Sequence, residues 1–402
     1  MPSREDEHGA GQQPEHRVAK RQSGLVRWLL VLVGLFLLVG GIGYLSYPSS
    51  QAPAVPPAPA TSPSAIPKPP APAPSPPPAV SIPKEAPAPA HGELAQYALD
   101  LINIDRQSTG LTPVVLGNNT AAQKHSEDLL ANSYLAHWGT DGMKPYMRYT
   151  LAGGFNYEGE NAYRTWTVRS GNGNPLFKRD PRQMLEEAQK SLMASPGHRT
   201  NILTKWHKKV NVGIAYNNDS LYLVQQFEGD YISFGQLPTL QNGMLSLSGG
   251  TRVGFAVDQI QVWYDPPPHP LTLGQLDKTY AYSLGKPAAF IRPPPPPRSY
   301  YTESVSTFSR EVYPDPYNIP PNTPPLPQSG TSILETPPSS RVTETVRWVE
   351  ATQWNISGNS FAIRADLSQI VMSFRGGVYT IVIWAETGEE SVDLTNYSII
   401  VP

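Results

Sequence analysis

Between residues 48 and 90 the chain places 17 prolines in 43 positions, and no regular element survives that density. Each proline fixes φ and removes an amide donor, so both helix and sheet ladders fail. The segment (PSSQAPAVPPAPATSPSAIPKPPAPAPSPPPAVSIPKEAPAPA) is expected to favour polyproline II. That makes it a semi-rigid spacer of about 3.1 Å per residue, reaching up to roughly 130 Å. A second proline-dense stretch, 293–338, holds 14 more of the 45 prolines. The other 313 positions carry 14, an ordinary globular share. The chain therefore reads as folded material joined by proline-rich segments. What is left suffices for two domains of about 150 residues, each able to bury its own core.

The chain contains no cysteine. That excludes disulfides, cysteine-ligated zinc or iron–sulfur centres, and a thiol nucleophile. A formal net charge of −2, spread along the sequence, supplies no electrostatic reason to bind nucleic acid.

From Trp28 to Tyr47 the run WLLVLVGLFLLVGGIGYLSY carries no charge. As a helix it would span about 30 Å, the hydrocarbon thickness of a bilayer. Trp28, Tyr44 and Tyr47 stand at its ends, where aromatic rings favour the membrane interface. A cleaved signal peptide would have a shorter apolar region and a small-residue cleavage site. Arg17, Lys20, Arg21 and Arg27 precede the run, whereas Lys68 and Lys84 are the only positive charges over 48–90. The positive-inside bias predicts a cytoplasmic tail over 1–27, a transmembrane helix over 28–47 and an extracellular remainder. The expected location is the cell membrane, single-pass.

The pattern turns helical at residue 93, where Leu94, Tyr97, Ala98, Leu101 and Ile102 recur at three and four, with Gly110 as a stop signal. A second helix is predicted after the caps Asn119 or Thr120, and a short one over Lys144–Leu151. Asp180-Pro181 starts another, with proline in the first turn. Two strands are predicted over 210–216 and 221–227, joined by a hairpin turn at Asn217–Ser220.

Short motifs are threaded through these elements. The run N-x-D-R-x-x-x-G-L-x-P extends from Asn103 to Pro113. His125-Ser126, Ala136-His137 and Gly159-Glu160-Asn161 follow. Ser195-Pro196-Gly197-His198-Arg199 leads into Asn201-Ile202-Leu203, and Val212-Gly213-Ile214 closes the series. In order and spacing this resembles prokaryotic members of the CAP superfamily, the SCP-like domains related to cysteine-rich secretory, antigen-five and pathogenesis-related proteins. The resemblance covers residues 93–235. It implies a three-layer α-β-α sandwich whose histidines and glutamates line a central cleft. The chain departs from eukaryotic members in having no cysteine and no G-H-Y-T-Q-type motif.

On that resemblance the cleft residues are His137, Glu160 and His198. A fourth, from the helix before His198, falls on Glu186 or Glu187. These neighbours point about 100° apart on a helix, so only one can face the cleft; Glu187 is the candidate. Two imidazoles and a carboxylate could bind a divalent ion such as zinc, with His137 and His198 as ligands, or could hold one another in a hydrogen-bonded network. There is no H-E-x-x-H and no G-x-S-x-G. Ser195 precedes His198 by three residues, but S-P-G-H reads as a helix stop and tight turn. His125 reads as a packed or capping histidine and His207 as a surface one. Asn161 is expected to serve a turn.

Beyond residue 240 the sequence reads as β. In RVGFAVDQIQVWY the apolar alternation changes parity at Asp258-Gln259, which predicts a bulge within one strand. Strands resume at 346–356, 360–366, 377–386 and 392–401. Repeated strands without helix predict an antiparallel β-sandwich. Trp348, Trp354 and Trp384 read as core rather than as a sugar-stacking platform. Sequons at Asn118, Asn218, Asn355 and Asn396 are expected to be usable if the host glycosylates.

The expected chain is α+β, with a CAP domain over 91–236 and a β-rich domain over 240–402 interrupted at 293–338. The expected function is an anchored extracellular binding module whose ligand is a lipid, a glycan or a surface protein. The alternatives are an envelope-associated, metal-dependent hydrolase and an adhesin whose β-domain binds.

Overall fold

A computed structural model describes residues 91–166, 180–279, 281–320, 322–324 and 339–402. The predicted membrane span and the proline-rich spacer lie outside these residues. Among the described residues no helix is long and apolar enough to cross a membrane.

Helix α1, His91–Ser108, buries Leu94, Ala98 and Ile102, and Gly110 ends its exit turn at φ +79°. The strand β1 (Val115–Leu116) leads to α2 (Ala121–Asn132), where the Asn119 side chain accepts from the Ala121 amide at 2.9 Å. Pro145–Leu151 forms α3. Glu158–Trp166 then forms β2, a strand the sequence reading does not anticipate. Asp180 caps α4 (Pro181–Ala194) by accepting from the Arg182 amide at 2.8 Å. Pro196 starts α5 (Pro196–Ile202), so the S-P-G-H run opens a helix as well as closing one. Strands β3 (Lys209–Tyr216) and β4 (Ser220–Glu228) form the predicted hairpin. Its turn is fixed by Asn217 Oδ1, which accepts from the amides of Asp219 and Ser220 at 2.8 and 2.9 Å.

These strands form a sheet in the order β1-β3-β4-β2, with only β1 parallel to its neighbour. Alternation sorts its two faces. Tyr163, Ile214, Leu221, Leu223 and Phe227 meet Leu94 and Ile102 of α1 and Met184, Leu185 and Leu192 of α4. Ala162, Tyr222 and Val224 meet Ala122 and Leu129 of α2. Helices thus cover both faces.

The remainder is sheet-rich. Strands β5 (Ile232–Gln241) and β6 (Met244–Thr251) pair with the later β11 (Gln353–Ser357) and β12 (Ser360–Asp366) in the order β11-β12-β6-β5. A six-stranded sheet contains β7 (Ala256–Asp265), β8 (Lys286–Arg292), β9 (Val305–Val312), β10 (Ser340–Glu350), β13 (Gly377–Glu386) and β14 (Ser391–Val401), in the order β14-β13-β7-β8-β10-β9. Leu245, Leu247, Phe361 and Ile363 from the first sheet share one core with Ile260, Val262, Ile381 and Ile383 from the second.

Several expectations for this half change. The bulge is present: Trp384 pairs with Gln259 and Ala385 with Val257, leaving Asp258 as the extra residue. The strand does not reach back to Val253, however. Val253 is 89% exposed and Gly254 takes φ +91°, so these residues turn the chain between β6 and β7. Two helices, α6 (Leu273–Leu276) and α7 (Ser368–Phe374), interrupt what was expected to be all strand. The second proline-rich stretch contains β9, which pairs antiparallel with β10. Trp348 and Trp384 join one hydrophobic cluster and Trp354 packs against another, so the three form no shared platform. Asn396 is buried and donates to the Glu158 carbonyl at 3.3 Å, which leaves no room for a glycan on the folded chain.

The two halves are joined over a wide surface. The Tyr157 amide donates to Leu394 O at 2.8 Å, and the Ser398 amide to Thr150 Oγ1 at 3.1 Å. Lys144 Nζ bonds Asp265 Oδ1 at 2.7 Å, and Tyr146 donates to Asp265 Oδ2 at 2.7 Å.

Candidate histidine–glutamate site

Strand alternation puts Glu158 and Glu160 on the same face of β2, toward α2 and α3, and Asn161 on the other. The chain leaving α2 turns at Ser133, whose φ is +56°, and delivers His137 to that face. His137 Nδ1 donates to Glu160 Oε1 at 2.9 Å. Arg148, from the middle of α3, places Nη2 at 3.3 and 3.2 Å from the two oxygens of Glu160. The same nitrogen bonds His137 O at 2.9 Å. His125 reaches the cluster from α2, with Nε2 3.0 Å from Ala136 O and 3.8 Å from Glu160 Oε1. His125 and His137 are each 1% exposed and Glu160 and His198 0%.

The electrostatics follow from burial and partners. Burial alone would raise the Glu160 carboxyl, but Arg148 first, then His125 and His137, outweigh it and hold it down at about 2. Glu158 goes the other way. Burial, then the neighbouring Glu160 charge, lifts it to about 8. Burial and then Arg148 depress His125 to about 4. Burial, then the His137 charge, pushes His198 well below the ordinary histidine value.

His198 lies in the first turn of α5, and Asn161 Nδ2 donates to its carbonyl at 3.3 Å. Among the described residues neither of its ring nitrogens has a hydrogen-bond partner. Asn161 therefore works from a strand, not from a turn, and it also accepts from Asn201 Nδ2 at 3.0 Å. Glu186 is exposed and accepts from the Tyr97 hydroxyl. Glu187 is half-buried on α4. The structure thus joins His137 directly to Glu160 and sets His198 near His137, while Glu186 bonds outward to Tyr97. Ser195 is buried where α4 gives way to α5, and its carbonyl accepts from the Arg199 amide at 2.8 Å. His207, expected at the surface, is fully buried between Tyr157 and Phe227, with ring centroids 6.1 and 5.0 Å away.

Among the described residues no group of three or more His, Asp or Glu side chains is disposed to hold a metal ion. His137 and His198 offer two imidazoles, while Glu160 is engaged by Arg148 and His137. Sequence reasoning missed Arg148, Glu158 and the participation of His125. The E-x-E spacing at 158 and 160 was a usable signal for Glu158, once read as a strand. Nothing local marks Arg148.

A helix-flanked sheet carrying an enclosed His–Glu–Arg cluster, fused to a sheet-rich unit, is the class of protein that these features define. Residues 99–227 match the CAP family, described as the cysteine-rich secretory protein family, and this part of the chain is a CAP domain. Among solved structures, the chain is similar to an extracellular SCP-domain protein of Bacillus anthracis str. Ames. The identity is 23% and the TM-score 0.27, over 35% of this chain and 41% of that one. It is also similar to an outer surface protein of Borrelia burgdorferi, at 15% identity and a TM-score of 0.27, over 34% of this chain and 94% of that one. The chain thus spans less than half of the Bacillus protein. No curated protein matches.

Proposed function

We propose that this protein is a membrane-anchored CAP-domain binding module, displayed outside the cell on its proline-rich spacer, with a lipid, a glycan or a surface protein as ligand. One observation carries the preference for binding over catalysis. Glu160 is fully buried and each of its oxygens accepts from Arg148 or His137, so the carboxylate serves as an internal ion-pair partner and is not presented to a substrate. The uncharged run at 28–47 and its flanking charges support the anchor. Protease added to intact cells is expected to remove the chain beyond residue 47 and spare a short N-terminal fragment. Full protection would reverse the topology. To test the binding role, the full chain in detergent micelles is presented to lipid vesicles, to purified envelope glycan and to surface protein from the same cells. Saturable binding without turnover is expected. Turnover of an ester or glycosidic substrate that His137→Ala abolishes would install the hydrolase instead.

A second reading, a metal-binding cleft, is favoured by the two unpartnered ring nitrogens of His198. Calorimetric titration of zinc into the wild type and His198→Ala separates the readings. Equal, weak binding to both removes the metal and the metal-dependent hydrolase with it.

A further inference from the structure

The cleft side of the sheet is covered by the chain's own second half. Tyr282, between α6 and β8, presents its ring to His137 with centroids 5.3 Å apart and planes at 63°. The same ring lies 6.1 Å from Tyr146. Its neighbours are tied down on both sides: Trp138 Nε1 donates to Ala281 O at 3.0 Å, and Lys144 Nζ to Ser283 O at 2.7 Å. Farther back, the Leu271 amide donates to Thr140 O at 2.9 Å, and Leu271 and Leu276 are buried with Leu129 and Trp138. Tyr282 itself is only partly buried, whereas His137 beneath it is 1% exposed. The residue thus closes over the histidine with part of its surface in solvent, while burial pushes its phenol hydroxyl well above the ordinary tyrosine range. The anchoring bonds come from the backbone around it, while the ring meets His137 by an edge contact.

We propose that Tyr282 is a self-supplied occupant of the CAP cleft, standing where a flat apolar or aromatic group of a ligand would stack against His137, so that binding requires this side chain to leave. The inference rests on the cleft being the binding surface proposed above. A ligand then binds only through the open fraction, and its apparent affinity is reduced by that fraction. The test needs no natural ligand. Diethyl pyrocarbonate labels accessible neutral imidazoles, and mass spectrometry reads each histidine of the full chain in detergent. Exposed His269 serves as the internal reference. In the wild type His269 is expected to label while His137 stays protected. In Tyr282→Ala, His137 should label at least tenfold faster, with His125 and His198 still protected. Millimolar phenol, the group that this substitution deletes as a free molecule, should restore protection to His137 in that variant. Equal protection of His137 in Tyr282→Ala and wild type overturns the proposal. So does wild-type labelling of His137 at the His269 rate. Should Tyr282→Ala label every histidine together, wild-type hydrogen exchange decides. Amides at 281–284 are expected to exchange at least tenfold faster than those of β7 and β8, and exchange only through global unfolding overturns the proposal. These outcomes do not depend on whether vesicles or glycan bind, so the two readings can fail separately.

Discussion

Glu160 and Glu158 sit two residues apart on one strand face, yet their surroundings move them in opposite directions, Glu160 down to about 2 and Glu158 up to about 8. Glu160 has a guanidinium and an imidazole against it, and Glu158 has neither. Removing the guanidinium with Arg148→Met would leave Glu160 charged, buried and short of its main partner. That is expected to lower stability by about 3–5 kcal/mol in urea unfolding; a loss near zero would show that water reaches the carboxylate. The pH behaviour follows from the same pair. Burial lifts Glu158 from an ordinary value of 4.5 to about 8 when folded, so the folded state binds more protons between those values. Its contribution to stability is fully present below the unfolded value and falls away as pH rises toward 8. Glu158→Gln should therefore gain stability relative to the wild type at pH 8 and gain none at pH 4. Glu160 and His125 work the other way. With folded values depressed to about 2 and 4, they contribute stability at neutral pH that is lost on acidification, His125 first and Glu160 after it. Melting curves from pH 3 to 9 for both proteins check each sign.

At the scale of elements, position along the chain was legible and partnership was not. Helix faces such as Leu94, Ala98 and Ile102, and caps such as Asp180, act through neighbours three or four residues away, so the sequence displays them directly. The Asp258 bulge was legible for the same reason, as a change of parity. Strand β2 was hidden because its inward residues include Glu158 and Glu160, polar groups in positions where a strand normally shows apolar ones. His207 was misplaced because the Lys208 and Lys209 beside it signal solvent, while the rings that enclose it come from β4 and from the residue before β2. Of the candidate site, the motif histidines and Glu160 were legible by resemblance, and Arg148 was not, since its partner lies on another element. Gly213, in the Val212-Gly213-Ile214 motif, has a physical reason that only the packing reveals. A Cβ there would stand 2.1 Å from the Ala122 carbonyl, because α2 lies directly on β3. Gly213→Ala is expected to destabilise by about 1–3 kcal/mol or more by forcing that helix away, measured by thermal melting. A neutral result would mean that α2 is free to shift on the sheet.

For the whole molecule, the two apolar patterns in the sequence imply two independent cores, but the contacts argue for one cooperative body. Phe155 and Trp206 of the CAP part pack into the core between the two β sheets, and Leu271 and Leu276 of the second half belong to a cluster built on α2. The polar seam is stricter than the apolar one. Lys144 is 6% exposed, and its ammonium is matched by Asp265 and by Ser283 O, both from the second half. A chain ended at residue 236 would lose both partners of that ammonium and bare the apolar surface that Leu271, Leu276 and the β sheets cover. Such a shortened chain is therefore expected to melt broadly or early, whereas the full chain melts as a unit. Because truncation also exposes apolar surface, the seam itself is tested by substitution within the full chain. Asp265→Asn keeps an acceptor for the Tyr146 hydroxyl but removes the charge, and should lower the midpoint of urea unfolding. Adding Lys144→Met removes the stranded cation and should recover most of that loss, as replacing both members of a buried pair commonly does. If the double variant is no more stable than Asp265→Asn alone, the ion pair is not what joins the halves, and the aromatic contacts of Trp206 with Tyr231 and Phe255 are the next place to look.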